Sequence, residues 1–279
     1  MNLTLKKTIT QALHEDAAYH DITTQLLIPK NQISQAYIII KEEAVVCGLD
    51  IVKTVFLILD RNIQLKTKYE DGQKIKKNTK ILFLKGKTRA LLSAERTALN
   101  FLSHLSGIST TTRAFVDQTK AYRAIILDTR KTTPGLRPLE KYAVRCGGGK
   151  NHRADLAQKI LIKDNHRAAW PKSLAQMIKT LRKKTKKSIE IEVENLLQLK
   201  NILAASPDII LLDNMSTAQM RQAVKLTKKL KGNRVLLEAS GGVTLKNVKG
   251  IAQTGVDRIS VGALTHSAKA VNVSLEFIK

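Results

Sequence analysis

The sequence predicts an α/β protein in two parts: an N-terminal, sandwich-like α+β domain over residues 1–107, and an incomplete α/β barrel of six or seven strands over residues 108–279. Two observations predict this architecture. Strand-like runs separated by turn signals fill the chain up to about Gly86, and from Ala124 short β-branched or Leu-rich runs alternate with helix-like segments. The 279 residues, 43% of them hydrophobic, suffice for one large or two modest domains. We expect the C-terminal segment to pack back on the N-terminal domain.

The N-terminal domain is predicted to open with a helix from about Leu5 to Glu15. Three strand-like runs follow, with the turn signal Asp71-Gly72 before the last of them: Ala36–Ile40, Ile63–Lys68 and Ile81–Lys85. One helix followed by several strands is typical of a small α+β domain.

A longer helix is predicted over Ala90–Ser106, with Gly107 as its stop signal. At about 100° per residue, five apolar side chains form one stripe on this helix: Leu91, Ala98, Leu99, Leu102 and Leu105. Glu95 falls inside the stripe and Arg96 at its edge. A carboxylate among apolar side chains needs a partner. Two interpretations stay open: an internal ion pair that fixes packing, or a helix that faces another subunit and gives Arg96 to it.

Six short runs form the predicted sheet of the second part: Ile125–Leu127, Ile160–Ile162, Ile189–Val193, Ile209–Leu212, Val235–Leu237 and Ile259–Val261. Helix-like segments lie between these runs, so the sheet should be parallel with helices outside it. Six such units suit a small or incomplete α/β barrel, and a doubly wound sheet is the alternative. No GxGxxG pattern follows a predicted strand, which disfavours a dinucleotide site.

Polar or small residues follow the predicted strands, which is where the active site of an α/β barrel lies. In strand order they are Asp128, Thr129, Arg130 and Lys131; Lys163 and Asp164; Glu190, Glu192 and Glu194, which share one face of the third strand; Asp213 and Asn214; Glu238, Ser240, Gly241 and Gly242; and Gly262 and Ala263. Any one of these residues is more often structural than catalytic. Such residues at every strand end together indicate a shared pocket.

The charges of this pocket should be divided. The stretch from Asp128 to Arg153 supplies cations, the third and fourth strands supply carboxylates, and the last two strands end in Ser-Gly-Gly and Val-Gly-Ala. Small residues in late barrel loops let backbone N–H groups approach a phosphate. Carboxylates suit ribose hydroxyls and Mg²⁺. The pattern therefore predicts a site for a phosphorylated sugar, with a second anion beside Arg130, His152 and Arg153.

The composition narrows the choice of partner. A net charge of +25 favours anionic partners, whether nucleic acid, membrane surface or phosphorylated and carboxylated substrates. Runs such as Arg182-Lys183-Lys184 are best interpreted as solvated surface, and aromatic residues make up only 4% of the chain. The longest apolar run, Thr54–Leu59, is far too short to span a bilayer, and the N-terminus lacks the apolar core of a signal peptide. Cys47 and Cys146 have no metal-binding or pairing pattern. We expect a cytoplasmic protein that binds neither nucleic acid nor membrane.

Several segments resemble the quinolinate phosphoribosyltransferase family: DTRKTTPGLR, EKYAVRCGGGKNHR, IEVEN, IILLDNM, LEASGG and GVDRISVGALTHS, together with AERTALN and HEDAAYHDITT. The resemblance covers almost the entire chain, in order and at the spacing of the family. One departure is His20, where the family usually has glycine before Asp-x-Thr.

The resemblance implies transfer of the phosphoribosyl group from 5-phosphoribosyl 1-pyrophosphate to quinolinate with decarboxylation. The products are nicotinate mononucleotide, pyrophosphate and CO₂, in de novo NAD biosynthesis. The resemblance also implies Mg²⁺, held by the substrate pyrophosphate with Glu192 and Asp213 as candidate ligands. It further implies a homodimer with shared active sites, or a higher oligomer.

The site residues carried over by the resemblance fall into three groups. Quinolinate binding is implied for Arg96, reaching in from the neighbouring subunit, and for Thr129, Arg130, Lys131, His152, Arg153 and Lys163. Binding of phosphoribosyl pyrophosphate is implied for Glu192, Asp213, Ser240, Gly241, Gly242, Val261, Gly262, Ala263 and His266. The implied catalytic residues are Lys131, Lys163, Glu192 and Asp213.

Three alternatives compete with this assignment. A paralogue of the same fold, such as the molybdenum-transport-associated relatives, takes a different substrate. A nicotinate-specific phosphoribosyltransferase acts on a substrate with one carboxylate and usually has a longer chain. A basic nucleic-acid-binding protein explains the charge but not the residues at the strand ends. The cations favour quinolinate: Arg96, Arg130, His152, Arg153 and Lys163.

Overall fold

The structure, a computed structural model, describes residues 3–229 and 235–278. By contacts the chain divides into two compact units. The first comprises residues 1–111, 134–148 and 268–279, and the second comprises residues 112–133 and 149–267. The predicted division into domains 1–107 and 108–279 stays a prediction. In the described residues, no helix is both long and apolar enough to cross a membrane.

Strands and helices follow in groups up to the long helix Thr88–Thr119 and alternate after it, apart from the consecutive helices Asp164–Ala168 and Leu174–Lys184. Up to the long helix they are α1 Leu3–Glu15, a 3₁₀ turn Ala18–His20, α2 Ile22–Leu27, β1 Ile33–Ile40, β2 Ala44–Val45, α3 Leu49–Leu59, β3 Gln64–Lys66, β4 Lys74–Ile75, β5 Thr79–Lys87 and α4 Thr88–Thr119. After it come β6 Ile125–Leu127, α5 Arg137–Cys146, β7 Ile160–Ile162, α6 Asp164–Ala168, α7 Leu174–Lys184, β8 Ile189–Val193, α8 Leu196–Leu203, β9 Ile209–Asp213, α9 Thr217–Lys228, β10 Leu236–Ser240, α10 Val248–Ala252, β11 Arg258–Ser260, α11 Ala263–His266 and β12 Val273–Phe277.

The first unit contains an antiparallel sheet with the strand order β12-β1-β5-β3. The C-terminal strand β12 pairs along β1, from Ala36 opposite Phe277 to Ile40 opposite Val273. Lys41 and Glu276 form an ion pair at this edge. The last strand of the chain thus completes the N-terminal sheet.

The start of the chain departs from the family pattern at His20, and the structure explains why the change is tolerated. His20 ends the 3₁₀ turn and is not among the residues with positive φ, so glycine is not required there. Asp21 then caps α2 by accepting the N–H of Thr24 at 3.0 Å, and it also accepts the Ser93 hydroxyl at 3.0 Å. Asp21 therefore has a structural role in the first unit.

The prediction that Gly107 ends the long helix is wrong, because α4 continues to Thr119. The apolar stripe is confirmed, since Leu91, Ala98 and Leu102 are fully buried. A Cβ added at Gly107 would overlap the carbonyl oxygen of Lys269. Glycine here permits close packing of the helix against a neighbouring backbone segment, so its propensity to stop helices is overridden.

The second unit contains a six-stranded parallel sheet with the order β6-β11-β10-β9-β8-β7. Followed around, the strands keep their chain order from β7 to β11 and return to β6. This cyclic order, open between the first and second strands, is that of an incomplete α/β barrel, so the predicted fold is confirmed. A doubly wound sheet would instead reverse its order at an internal strand.

The strands of this sheet form where short runs of β-branched and leucine residues occur, and all five residues of β8 are buried. The first three strands have the predicted bounds. The predicted end of the fifth strand, Leu237, is wrong, because the observed strand β10 continues to Ser240. Ser240 lies in register with Asp213 of β9. Because β10 ends in acidic and small residues, the apolar pattern does not reveal where it ends.

Candidate active site

A pocket of about 780 Å³ lies in the second unit, where its lining residues follow the carboxyl ends of the strands. Most of the site residues expected from the sequence line it. They are Thr129, Arg130, Lys131, His152, Arg153, Lys163, Glu192, Asp213, Ser240, Gly241, Gly242, Gly262, Ala263 and His266. The pocket forms because parallel strands bring all their carboxyl ends to one edge of the sheet.

Two expected residues do not line this pocket. Val261 is buried, and its N–H donates to the carbonyl of Leu127 at 2.9 Å, so it extends the sheet. Arg96 is exposed on α4 in the first unit. Its neighbour Glu95 is half-buried, and burial raises the pKa of Glu95 while the charge of Arg96 opposes that rise.

The end of β6 is fixed by local hydrogen bonds. Thr129 Oγ1 accepts the N–H of Lys131 at 3.0 Å, and the hydroxyl of Thr265 donates to the carbonyl of Lys131 at 2.7 Å. These two contacts anchor the backbone of Lys131 at both of its polar groups. The lysine side chain is therefore held at the pocket by a rigid base.

Asp128 links the first strand to the loop that carries His152 and Arg153. Its carboxylate is fully buried and accepts the side-chain amide of Asn151 at 2.5 Å and the N–H of His152 at 2.8 Å. The backbone of Lys150 also pairs with β6, donating to Ile126 at 2.9 Å. Asp128 thus positions the loop and does not line the pocket itself.

Two guanidinium groups share the pocket. Arg153 is only 7% exposed, and its Nη1 donates to the carbonyl of Lys159 at 3.1 Å. Burial lowers the pKa of Arg153, and the positive charge of Arg130 lowers it further, while Glu190 and Asp155 oppose this. A buried cation that is repelled by another cation gains stability when an anion binds between them. This half of the pocket is therefore suited to a carboxylate ligand.

A buried cluster of two acids and two bases lies beneath the arginines. Glu190 and Glu238 are fully buried, and His152 Nε2 lies 3.1 Å from Glu190 Oε2 and 3.4 Å from Glu238 Oε1. Lys159 Nζ lies 2.6 Å from Glu190 Oε2. Glu190 keeps a lowered pKa, because the contacts with His152 and Lys159 outweigh the burial that would raise it. Within residues 3–229 and 235–278, neither oxygen of Glu238 has a hydrogen-bond partner.

Two opposing effects act on the His152 ring. Nδ1 accepts the N–H of Arg153 at 2.8 Å, which requires a lone pair on Nδ1. Burial alone would lower the pKa of His152, but its close contacts with Glu190 and Glu238 and the charges of these two carboxylates raise it to about 9. Charging the ring places a proton on Nδ1 and therefore removes this hydrogen bond from Arg153. The charged form is favoured nevertheless, because it brings the four-residue cluster with Lys159 to neutrality.

A second cluster lies on the neighbouring strands. Lys163 Nζ donates to Glu192 Oε2 at 2.7 Å, and the Glu192 side chain is 6% exposed. Burial raises the pKa of Asp213, and the charge of Glu192 raises it further, while Lys163 opposes the rise. Two carboxylates that repel each other offer hard oxygen ligands for a cation or for hydroxyl donors. Glu194, the third acid of the alternating run, instead pairs with Arg167 at 3.0 Å and is exposed.

The end of β10 is built from backbone. Gly241 and Gly242 have φ angles of +88° and +58°, in the region that favours glycine. A Cβ on Gly241 would overlap the side chain of Asn214 and lie 3.0 Å from its backbone nitrogen, whereas a Cβ on Gly242 would enter open space. Gly241 is therefore required for packing. Gly242 keeps the pocket itself free of a side chain.

The end of β11 is equally close-packed. A Cβ on Gly262 would lie 3.1 Å from His266 Nε2 and 3.2 Å from Lys131 Cδ. Gly262 therefore lets the side chains of His266 and Lys131 approach the same edge of the pocket. His266 lies on α11, and its Nδ1 is 2.6 Å from the Ser267 hydroxyl.

Comparison with known proteins identifies this arrangement. A family model for the C-terminal domain of quinolinate phosphoribosyl transferase matches residues 108–276, and the model for its N-terminal domain matches residues 21–106. The chain belongs to the quinolinate phosphoribosyltransferase family. The resemblance identified in the sequence is thereby confirmed.

Named members of the quinolinate phosphoribosyltransferase family match the chain along almost its whole length. The nicotinate-nucleotide pyrophosphorylase [carboxylating] of Mycobacterium leprae is 42% identical, covering 97% of this chain and 96% of that protein. The probable enzyme of the same name from Bacillus subtilis is 42% identical, covering 99% of this chain and 94% of that protein. The solved structure of the nicotinate-nucleotide pyrophosphorylase from Francisella tularensis has a TM-score of 0.94 at 41% identity, covering 100% of this chain and 97% of that one.

Several residues that line the pocket in this member of the quinolinate phosphoribosyltransferase family were not among those expected from the sequence. They are Leu161, Leu211, Val243, Thr244 and Ser260. Asp164, Asn214 and Glu238 also line the pocket, as their positions at strand ends led us to expect. The pairing of Glu238 with His152 was not predictable from the sequence, because it joins the fifth strand to a loop far along the chain.

Proposed function

We propose that the chain transfers the phosphoribosyl group of 5-phosphoribosyl 1-pyrophosphate to the ring nitrogen of quinolinate, with decarboxylation. The products are nicotinate mononucleotide, pyrophosphate and CO₂, in de novo NAD biosynthesis. Membership of the family over nearly the full chain supports this reaction. The observation that carries it is one pocket that joins the Arg130–Arg153 pair to the Lys163–Glu192–Asp213 cluster.

The arginine half of the pocket binds quinolinate. Quinolinate carries two adjacent carboxylates, and a planar guanidinium meets a carboxylate through two parallel hydrogen bonds. Arg130 and Arg153 repel each other, which an anionic ligand relieves. Thr129 and Lys131 line the same side. The charge of His152, whose pKa is raised to about 9, adds to this binding.

The acidic cluster binds the ribose and Mg²⁺. Glu192 and Asp213 offer carboxylate oxygens in one pocket, and the mutual repulsion that raises the pKa of Asp213 is relieved by a cation. The donor set therefore fits Mg²⁺, which supplies charge that offsets the pyrophosphate. Lys163 forms an ion pair with Glu192. Its single positive charge does not cancel the two carboxylates of Glu192 and Asp213, so the cluster presents a net negative charge to the ribose.

The chemistry needs no nucleophilic side chain. As pyrophosphate departs, the anomeric carbon becomes positively charged, and Glu192 and Asp213 stabilise that charge. Lys131 and Lys163 stabilise the departing anions from fixed positions. The ring nitrogen is cationic once it carries the ribose, so it stabilises the carbanion left by the departing carboxylate. Ribosylation therefore precedes decarboxylation.

The small residues at the ends of β10 and β11 bind the 5′-phosphate. Ser240, Gly242 and Ala263 line the pocket without filling it, and Gly262 admits His266 to its edge. Val261, which the resemblance also implied, contributes through the sheet backbone.

The proposal includes a homodimer with shared sites. Arg96 is exposed on α4 beside the half-buried Glu95, which is an unfavourable arrangement for the surface of an isolated subunit. In a dimer, the helix would meet the partner and Arg96 would complete its quinolinate site. A cytoplasmic location stays a prediction.

The direct test is to incubate the protein with quinolinate, 5-phosphoribosyl 1-pyrophosphate and Mg²⁺. We expect nicotinate mononucleotide and CO₂ in equal amounts. Lys183→Ala, which removes an exposed surface lysine, is the matched control for the pocket variant Lys163→Ala. Absence of both products, or equal loss of activity in the two variants, would contradict the proposal.

A further inference from the structure

The only two cysteines of the chain meet in the first unit, although they are far apart in sequence. Cys47 precedes α3 and Cys146 ends α5. Their sulfur atoms and a carboxylate oxygen of Asp71 all lie within 4.8 Å of one another. Cys47 is fully buried, whereas Cys146 is partly exposed.

Both cysteines are held by their surroundings. The N–H of Cys47 donates to the Ser106 hydroxyl at 3.0 Å, and that hydroxyl lies 3.3 Å from the carbonyl of Cys47. On the other side, a Cβ added to Gly72 would lie 3.1 Å from the carbonyl oxygen of Cys146. The turn at Gly72 therefore packs closely against the end of α5. The two thiols face each other because both backbones are fixed.

The cluster is poorly suited to a metal ion. The carboxylate of Asp71 already accepts the N–H groups of Gly48 at 2.9 Å and Leu49 at 3.1 Å, and the hydroxyl of Tyr142 at 2.7 Å. Three donors leave it little capacity to act as a ligand. Because the hydrogen bonds occupy Asp71, only the two thiols are available for chemistry. The characteristic reaction of two neighbouring thiols is oxidation.

We propose that Cys47 and Cys146 are a reversible oxidation site that forms an intramolecular disulfide on exposure to hydroperoxides. The proposed phosphoribosyl transfer uses no thiol, so this site is additional to it. The two sulfur atoms lie within 4.8 Å of each other, and a disulfide requires them to approach to about 2.05 Å.

The hydroperoxide oxidises the two thiols in two steps. The Cys146 thiolate attacks a peroxide oxygen, which breaks the O–O bond and gives a sulfenic acid and hydroxide. The Cys47 sulfur then attacks the Cys146 sulfur, losing its proton as the sulfenic hydroxyl leaves as water. The peroxide is reduced by two electrons and the two thiols are oxidised to one disulfide. An external dithiol reverses the reaction.

The two thiols differ in the way that such a pair requires. The hydrogen bond from Cys47 lowers the pKa of Cys146, and the Tyr142 hydroxyl and the Arg145 charge lower it further, against burial and the charge of Asp71. The same thiol–thiol hydrogen bond and burial raise the pKa of Cys47. Cys146, the more exposed thiol and the one with the lower pKa, is therefore the attacking thiol, and Cys47 is the resolving one.

The test uses the wild-type protein with hydrogen peroxide as the probe. We expect both thiols to be lost together, a mass decrease of about 2 Da per chain, and a cross-linked peptide pair containing Cys47 and Cys146. Dithiothreitol should restore both thiols. The proposal is overturned if Cys146 accumulates as sulfinic acid without the cross-link, or if both thiols resist peroxide that oxidises an unstructured cysteine peptide.

Cysteine variants test which of the two thiols reacts first. Cys47→Ala should stop at a sulfenic acid on Cys146, which dimedone traps. In Cys146→Ala, the buried Cys47 should react at least about tenfold more slowly than Cys146 does in the other variant. Tyr142→Phe should slow the reaction at pH 7 by about threefold, and Tyr122→Phe, in the second unit, should not. Faster reaction of Cys47 than Cys146 would contradict the assigned roles.

Discussion

The two halves of the pocket are built by opposite means. On the side of β6 to β9, charged side chains are packed against one another, and burial together with their repulsion shifts the pKa values of Arg153 and Asp213. On the side of β10 and β11, glycines keep side chains away and leave backbone and open space at the pocket. We therefore expect that ligand affinity depends on the number of ligand charges in the first half of the pocket and on ligand shape in the second half.

Removing a pocket lysine should have the largest effect. We predict that Lys131→Ala and Lys163→Ala each lower kcat by roughly 10²–10³, because each removes a fixed cation from a site that must counter several negative charges. Thermal unfolding should show that the fold is intact. Near-normal turnover by either variant would remove that lysine from the mechanism, and Lys183→Ala controls for loss of charge alone.

The buried cluster beneath the arginines should make stability depend on pH. The pKa of His152 is raised from its ordinary 6.5 to about 9, so its contribution is fully present below pH 6.5 and is lost as the pH rises through 9. Part of the gain is offset because the charged ring loses the hydrogen bond that Nδ1 accepts from the N–H of Arg153. We predict a loss of about 2 kcal/mol in the free energy of unfolding from His152 between pH 6.5 and 9.5.

Urea unfolding of the wild type and His152→Gln across this pH range measures that contribution. Glutamine keeps a donor near Glu190 but does not titrate, so the difference between the two proteins should shrink as the pH rises. A difference that is constant with pH would show that His152 is neutral throughout.

The glycines of the second half separate packing from binding. We predict that Gly241→Ala lowers the free energy of unfolding by about 2–4 kcal/mol, because its Cβ overlaps Asn214. Gly242→Ala should cost only about 1 kcal/mol of backbone strain. It should instead raise KM for 5-phosphoribosyl 1-pyrophosphate by about tenfold, because its methyl group enters the pocket. Equal KM values for Gly242→Ala and the wild type would place the phosphate elsewhere.

In the proposed homodimer, Arg96 of one subunit completes the charged half of the pocket in the other subunit. Mixed dimers of Arg96→Ala and Lys163→Ala subunits would have one site with both lesions and one with neither. With random exchange, half the dimers are mixed, so activity should return to about one quarter of the wild-type value. A mixture that stays as inactive as its parents after proven exchange would mean that Arg96 acts within its own subunit.

Much of the second unit could be predicted because its strands are short apolar runs and its pocket is lined by residues at their ends. The same method misjudged Gly107, since the propensity of a glycine does not reveal the backbone that packs against it. It also missed that Glu190 and Glu238 converge on His152, because strand alternation shows which face an acid occupies but not which neighbour it meets. Contacts between distant segments are set by tertiary packing.

The most direct test of the central claim compares quinolinate with nicotinate as substrates under the same conditions. A site built for two carboxylates leaves buried cations unpaired when one carboxylate is missing, a penalty of several kcal/mol. We predict that kcat/KM for nicotinate is lower by a factor on the order of 10³ or more. Comparable kcat/KM values for the two substrates would contradict the account and indicate a nicotinate enzyme.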